Sequence, residues 1–114
     1  MTTDDTPEHA AADTRLTITV WDAPDAQPRR FTLYCDPPGG DHPDPRRACA
    51  TLTRAEAPFA PVPPEVRCLA MWSGPQRARI EGSWRGVPVA ASYSRTDSCE
   101  TARWNALADV FGAP

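Results

Sequence analysis

The sequence predicts an α+β domain: an antiparallel sheet of four to five strands with two helices, held by two disulfides. Four segments alternate apolar and polar residues with period two, as half-buried strands do. Two others repeat apolar residues at helical spacing behind residues that cap helices. The 114 residues also contain four cysteines, an even number with no close pair among them. A chain of this length builds one domain with a single modest core.

Residues 1–14, acidic and rich in Thr and Ala, read as a flexible tail ahead of a domain spanning 15–112. "RLTITVW" (15–21) is a strand with Leu16, Ile18 and Val20 on one face and Thr17, Thr19 and Trp21 on the other. After the turn "DAPDAQPR", "RFTLYC" alternates again with Phe31, Leu33 and Cys35 pointing one way, so the two strands form a hairpin. "DPPGGDHPDP" reads as irregular chain. Asp44 and Pro45 then supply a cap and a first helical residue for a helix over 45–56 with Ala48, Cys49 and Leu52 inward. "APFAPVPPEV" is a proline-stiffened connector.

"RARIEGSW" sets Ala78, Ile80, Gly82 and Trp84 against Arg77, Arg79, Glu81 and Ser83. "VPVAASYS" answers with Val87, Val89, Ala91 and Tyr93, and Arg85–Gly86 between them makes a tight turn. Ser98 caps a final helix over 99–110, where Trp104, Leu107, Ala108 and Phe111 recur at helical spacing before Gly112 ends it.

Composition excludes several functions. The net charge is −3, and all twelve basic residues are arginines scattered along the chain, so no basic stripe exists for nucleic acid. No apolar run approaches the roughly 18 residues of a membrane span. His9 lies in the tail, and His42 reads as a turn residue bonded to nearby backbone. Asp4 and Asp5 are in the tail and the other carboxylates are dispersed, so no catalytic set forms and the chain reads as a non-enzyme without a cofactor. A zinc site needs a close pair such as C-x2-C, which is missing, so no metal is expected and Cys35, Cys49, Cys68 and Cys99 read as disulfide cysteines. Spacing alone leaves three connectivities open. Disulfides imply a secreted, extracellular protein. "MTTDDTPEHAAADTR" has no apolar h-region and is not a signal peptide, so Met1 begins a mature fragment or the true start lies upstream.

The stretch "VRCLAMWSGPQ" has no periodicity. Trp84 and Trp104 fall on inward faces and read as core, while Trp21 is ambiguous at its strand end. Trp72 differs: it lies in a loop beside Met71, between Cys68 and a Ser-Gly-Pro break. Either it folds back over the sheet edge or it is offered to a partner. A small scaffold with such a loop binds something by laying extended backbone in a groove.

The pattern as a whole resembles the Streptomyces subtilisin inhibitor family. The pieces that match are "LTITV", then "FTLYCDPPGGDHPDPRRACATL" with two cysteines flanking a Gly-x-His-Pro turn, the loop cysteine in "RCLAMW", the Gly-x-Trp-x-Gly hairpin in "ARIEGSWRGVPV", "SYSRTDSCE" and a late "VF". They run over roughly 15–111. The resemblance implies bridges Cys35–Cys49 and Cys68–Cys99, each worth on the order of 3–4 kcal/mol in the chain-entropy model.

It also implies inhibition of serine proteases through a substrate-like loop, Arg67, Cys68, Leu69, Ala70, Met71, Trp72 and Ser73, with Ala70–Met71 as the reactive bond. Ala70 would enter the primary specificity pocket of a subtilisin-like or elastase-like enzyme, whereas a methyl group cannot reach the acidic floor of a trypsin-like one. Where relatives carry larger residues, Ala70 forgoes part of the roughly 1.5–3 kcal/mol that burying a large apolar side chain provides.

"MWSGPQ" is one residue longer on the leaving side than in the best-known members. The extra Gly74 leaves open a register with Met71 in the primary pocket. The family also commonly forms a homodimer through a sheet face. The rival expectation is a non-inhibitory binding module on the same scaffold that engages another secreted enzyme.

Overall fold

A computed structural model describes residues 13–112. Eight elements follow in order: β1 Arg15–Trp21, β2 Arg29–Tyr34, β3 Gly39–Gly40, α1 Pro45–Arg54, β4 Arg77–Trp84, β5 Val87–Tyr93, α2 Ser98–Ala106 and α3 Ala108–Phe111. The five strands form one antiparallel sheet in the order β3-β2-β1-β4-β5. β1 is central because its hairpin partner β2 pairs along one edge and the β4–β5 hairpin docks along the other, with Ile18 opposite Phe31 on one side and Ile80 on the other.

Period-two alternation puts Leu16, Ile18, Val20, Leu33, Ala78, Ile80, Val89, Ala91 and Tyr93 on one buried face. The helices supply Ala48, Leu52, Trp104, Leu107, Val110 and Phe111 against it. Phe111 is the hub, with its ring 5.2 Å from Tyr93 and 4.4 Å from Trp104. The opposite face is polar: Thr17, Thr32 and Glu81 share one row, Thr19, Arg30 and Arg79 the next. Between β4 and β5 the turn residues Arg85 and Gly86 both have positive φ, 50° and 83°, the twist that a two-residue hairpin demands.

The structure corrects the sequence expectations at several points. The "DPPGG" stretch is not wholly irregular, since Gly39 and Gly40 pair with Tyr34 and Leu33 as a short edge strand. The first helix stops at Arg54, and the last is interrupted at Leu107, where φ is −114° and ψ is 21°. That break turns Val110 and Phe111 inward and leaves Ala108 exposed. Trp84 is only half-buried, because it lies at the hairpin end beyond the helices, between Phe59 and the Arg85 guanidinium. Val87 is exposed there for the same reason.

Asp97, not Ser98, caps α2, its carboxylate accepting from the Glu100 N–H at 2.8 Å. His42 is more than a turn residue. Its buried ring accepts from the Asp44 N–H through Nδ1 at 2.9 Å and donates through Nε2 to the Val110 carbonyl at 2.8 Å, tying the start of α1 to α3.

Residues 1–12 of the expected tail lie outside the described residues. Thr14 is buried and accepts from the Arg85 N–H at 2.9 Å, and the Asp13 carbonyl accepts from Gly86 at 2.7 Å. Arg29 closes the other end, bonding Asp22 at 2.8 and 2.9 Å and the Phe111 and Gly112 carbonyls at 3.2 and 2.7 Å. No helix is long and apolar enough to cross a membrane among the described residues.

Candidate binding loop

Two disulfides staple this scaffold, Cys35–Cys49 and Cys68–Cys99. The first is buried and joins the end of β2 to α1; the second is at the surface and joins the 66–76 loop to the first turn of α2. Cys68, Cys99 and Asp97 bring three ligand-type atoms together, but both sulfurs are consumed by the bridge, which leaves a single carboxylate.

The proline-rich connector delivers the chain to the loop as far as Val66, whose N–H bonds the Pro63 carbonyl at 3.1 Å. From there the side chains turn outward: Leu69, Met71 and Trp72 are 64%, 58% and 66% exposed. Trp72 thus does not fold back over the sheet edge. Exposing three large apolar residues in one short stretch is the signature of a surface that a partner covers.

Outward side chains do not mean a loose backbone. The Leu69 N–H donates to the Ser98 hydroxyl at 2.8 Å, and the Ser98 N–H donates to the Leu69 carbonyl at 3.0 Å. The Met71 N–H bonds the same Leu69 carbonyl at 2.8 Å, closing a three-residue turn with Ala70 at its corner. Past the corner, the Ser73 N–H donates to the Arg95 carbonyl at 2.8 Å.

Every polar backbone group of Leu69 is therefore engaged on the scaffold side. Among the described residues no hydrogen bond engages the N–H or carbonyl of Ala70. Gly74 is buried beneath the loop with φ at 155°; a Cβ there would run into the Gln76 side chain, itself contacted by the Arg95 guanidinium at 3.5 Å.

The sequence singled out residues 67–73, and the structure sets them in one continuous exposed stretch. What sequence reasoning missed is the support. By sequence Ser98 reads as a helix cap, and Arg95 gives no signal because its contribution is a backbone carbonyl that no side-chain pattern announces. Ser98 is spare because Asp97 already satisfies the helix start, so two adjacent cap-competent residues were the available signal.

A rigid disulfide-held scaffold with an exposed loop braced at both ends defines a protein-binding module. A model of the family described as subtilisin inhibitor-like matches residues 10–98, and the chain belongs to that family. It is similar to subtilisin inhibitor-like protein 1 of Streptomyces cacaoi, 36% identical over 87 residues that make up 73% of this chain and 79% of the relative. The fold is similar to the crystal structure of Streptomyces caespitosus sermetstatin in complex with Bacillus licheniformis subtilisin. The TM-score is 0.54 at 25% identity, covering 88% of this chain and 97% of the matched one.

Proposed function

We propose that the protein is a secreted inhibitor of subtilisin-like serine proteases that presents residues 67–73 as a substrate-like strand, with Ala70–Met71 as the reactive bond. Family membership and the likeness to a subtilisin-bound inhibitor support the activity. The observation that carries the register is the turn at Ala70: its carbonyl is unengaged at the corner, while its two neighbours are tied together across it.

Because the backbone N–H and carbonyl of Leu69 are taken by Ser98, Cys68 and Ala70 are the residues whose backbone can pair with an enzyme's edge strand. The extra residue, Gly74, lies beyond the Ser73 brace, so it lengthens the loop outside the held segment and leaves the register at Ala70.

The reaction is ordinary serine-protease chemistry made reversible. The protease's serine oxygen adds to the Ala70 carbonyl carbon, its proton passes to the enzyme's histidine, and the oxyanion hole takes the developing charge. When the bond between the Ala70 carbon and the Met71 nitrogen breaks, the histidine returns that proton to the nitrogen, leaving an acyl-enzyme and a free Met71 amine. In a substrate the amine diffuses away and water cleaves the ester. Here Met71 remains two residues from the Ser73 brace, and Ala70 two residues from the Cys68 bridge. The amine re-attacks the ester, expels the serine and restores the peptide bond before water competes.

Ala70 selects enzymes with small or tolerant primary pockets, and exposed Met71 and Trp72 supply apolar contact on the leaving side. The test is titration of subtilisin with oxidised protein, following the loop by mass spectrometry. Stoichiometric inhibition with slow, unique scission after Ala70 is expected; rapid digestion at several places, or no effect, refutes the proposal.

A further inference from the structure

Most of what holds this loop is backbone to backbone or covalent; one tether is a side chain. We infer that Ser98 is a positioning residue of the loop, its hydroxyl holding the Leu69 N–H so that the acyl-side end stays aligned with the Met71 amine while the reactive bond is open. This rests on the reading of Ala70–Met71 as that bond.

The disulfide's covalent hold ends at Cys68. Once the bond opens, Leu69 and Ala70 are a two-residue stub whose backbone torsions are otherwise free. Ser98 grips Leu69 at both polar groups: its Oγ accepts from the Leu69 N–H at 2.8 Å, and its own N–H donates to the Leu69 carbonyl at 3.0 Å. Across the cut, Ser73 is held by the Arg95 carbonyl at 2.8 Å.

Both ends are therefore braced by the single stretch 95–99, which also contains the bridge partner Cys99. Their separation is set by that short clip and not by motions of the sheet. The Leu69 carbonyl has a second function, since it also accepts from the Met71 N–H at 2.8 Å. Fixing that carbonyl therefore fixes a partner for the amine that scission creates.

Ser98 stands at the first helical position of α2, where Asp97 already caps the helix, so its hydroxyl can be removed without uncapping it. The experiment compares wild type, Ser98→Ala and Ser98→Thr with catalytic subtilisin. It reads inhibition, the rate of scission after Ala70, and the fraction of intact bond at equilibrium approached from both intact and cleaved protein. Ser98→Ala should remain folded and initially inhibitory, but be cut about two- to tenfold faster and settle at a lower intact fraction, the scale of one net hydrogen bond. Ser98→Thr, which keeps the oxygen, should restore both readouts.

Leu69→Pro deletes the donor of the same bond, so adding Ser98→Ala to it should change nothing further in either readout. A Ser98→Ala protein matching wild type in scission rate and intact fraction overturns the assignment, and so does additivity with Leu69→Pro. Wild-type protein cut elsewhere, or not inhibitory, overturns instead the reading on which the assignment rests.

Discussion

On the proposed function, breaking Cys68–Cys99 separates what the bridge does for folding from what it does for inhibition. The two cysteines are 31 residues apart in sequence, and loop-closure entropy for that length puts the bridge at about 3.7 kcal/mol of stability. The 14-residue separation of Cys35–Cys49 gives about 3.0 kcal/mol by the same relation. The two losses are thus similar, each shifting the thermal midpoint by about 10–30 °C for a domain of this size. Function should divide them. Cys35–Cys49 lies under the sheet, so a Cys35→Ala/Cys49→Ala protein assayed well below its midpoint should still inhibit. A Cys68→Ser/Cys99→Ser protein, with its sulfurs replaced by compatible hydroxyls, retains the Ser98 and Arg95 braces. Once the chain is cut, though, only the two Ser98 hydrogen bonds, with no covalent link behind them, hold the Leu69–Ala70 end. It should be digested after Ala70 with no lasting inhibition. The assays are urea unfolding for both variants and timed subtilisin inhibition with mass-spectrometric mapping at low temperature. If the 68/99 variant inhibits as long as wild type, the bridge is not what retains the cut ends. If both variants lose inhibition together, global stability governs the loop and the division is wrong.

Other outcomes follow from single groups. Ala70→Lys should shift preference toward trypsin-like enzymes, because a long cation reaches an acidic pocket floor; unchanged selectivity in a two-protease titration would place the register elsewhere. The Arg29 hydrogen bonds to Asp22 hold that carboxyl below its ordinary range, outweighing the burial that raises it, with the Arg29 charge attraction adding a lesser downward pull. Its stabilisation is therefore complete above the unfolded value near 4 and lost as pH falls through the lower folded value, so urea midpoints should drop more between pH 5 and 2 for wild type than for Asp22→Asn. Burial pushes the Tyr93 phenol up to about 12, with the Arg103 cation opposing and Glu100 adding. That stabilisation is present below about pH 10 and lost as pH rises through 12. In an ultraviolet titration, one of the two tyrosines should ionise only as the domain unfolds, and Tyr93→Phe should flatten that alkaline loss.

The sheet was legible because its periodicity was clean and one face is buried. Leu16, Ile18 and Val20 alternate without a miss, and a register slipped by one would turn all three to water. What escaped were features decided by contacts between distant residues. The Gly39–Gly40 strand exists because Leu33 and Tyr34 offer an unpaired edge, not because two glycines favour extension. The break at Leu107 has no glycine or proline to mark it; burying Phe111 between Tyr93 and Trp104 selects it. His42 looked local because its long-range partner is a backbone carbonyl 68 residues away.

For the loop the division is between what is displayed and what holds it. The displayed part was legible because an aperiodic apolar run beside a cysteine fits neither a strand nor a helix face, and Leu69, Met71 and Trp72 are exposed. The holding part was not, since it consists of carbonyls and one hydroxyl brought in by a turn between β5 and α2. A loop of this kind needs conflicting properties: side chains available to a partner, and a backbone with little entropy left to lose. In one chain these are reconciled by alternation, which ties Leu69's polar groups to Ser98 while leaving those of Ala70 unbonded among the described residues. The bridge alone could not achieve that, since a disulfide fixes where Cys68 is and not which way the next residue faces. The two Ser98 bonds fix the Leu69 end and the Arg95 carbonyl fixes Ser73, so the short segment 95–99 holds both sides of Ala70 in place.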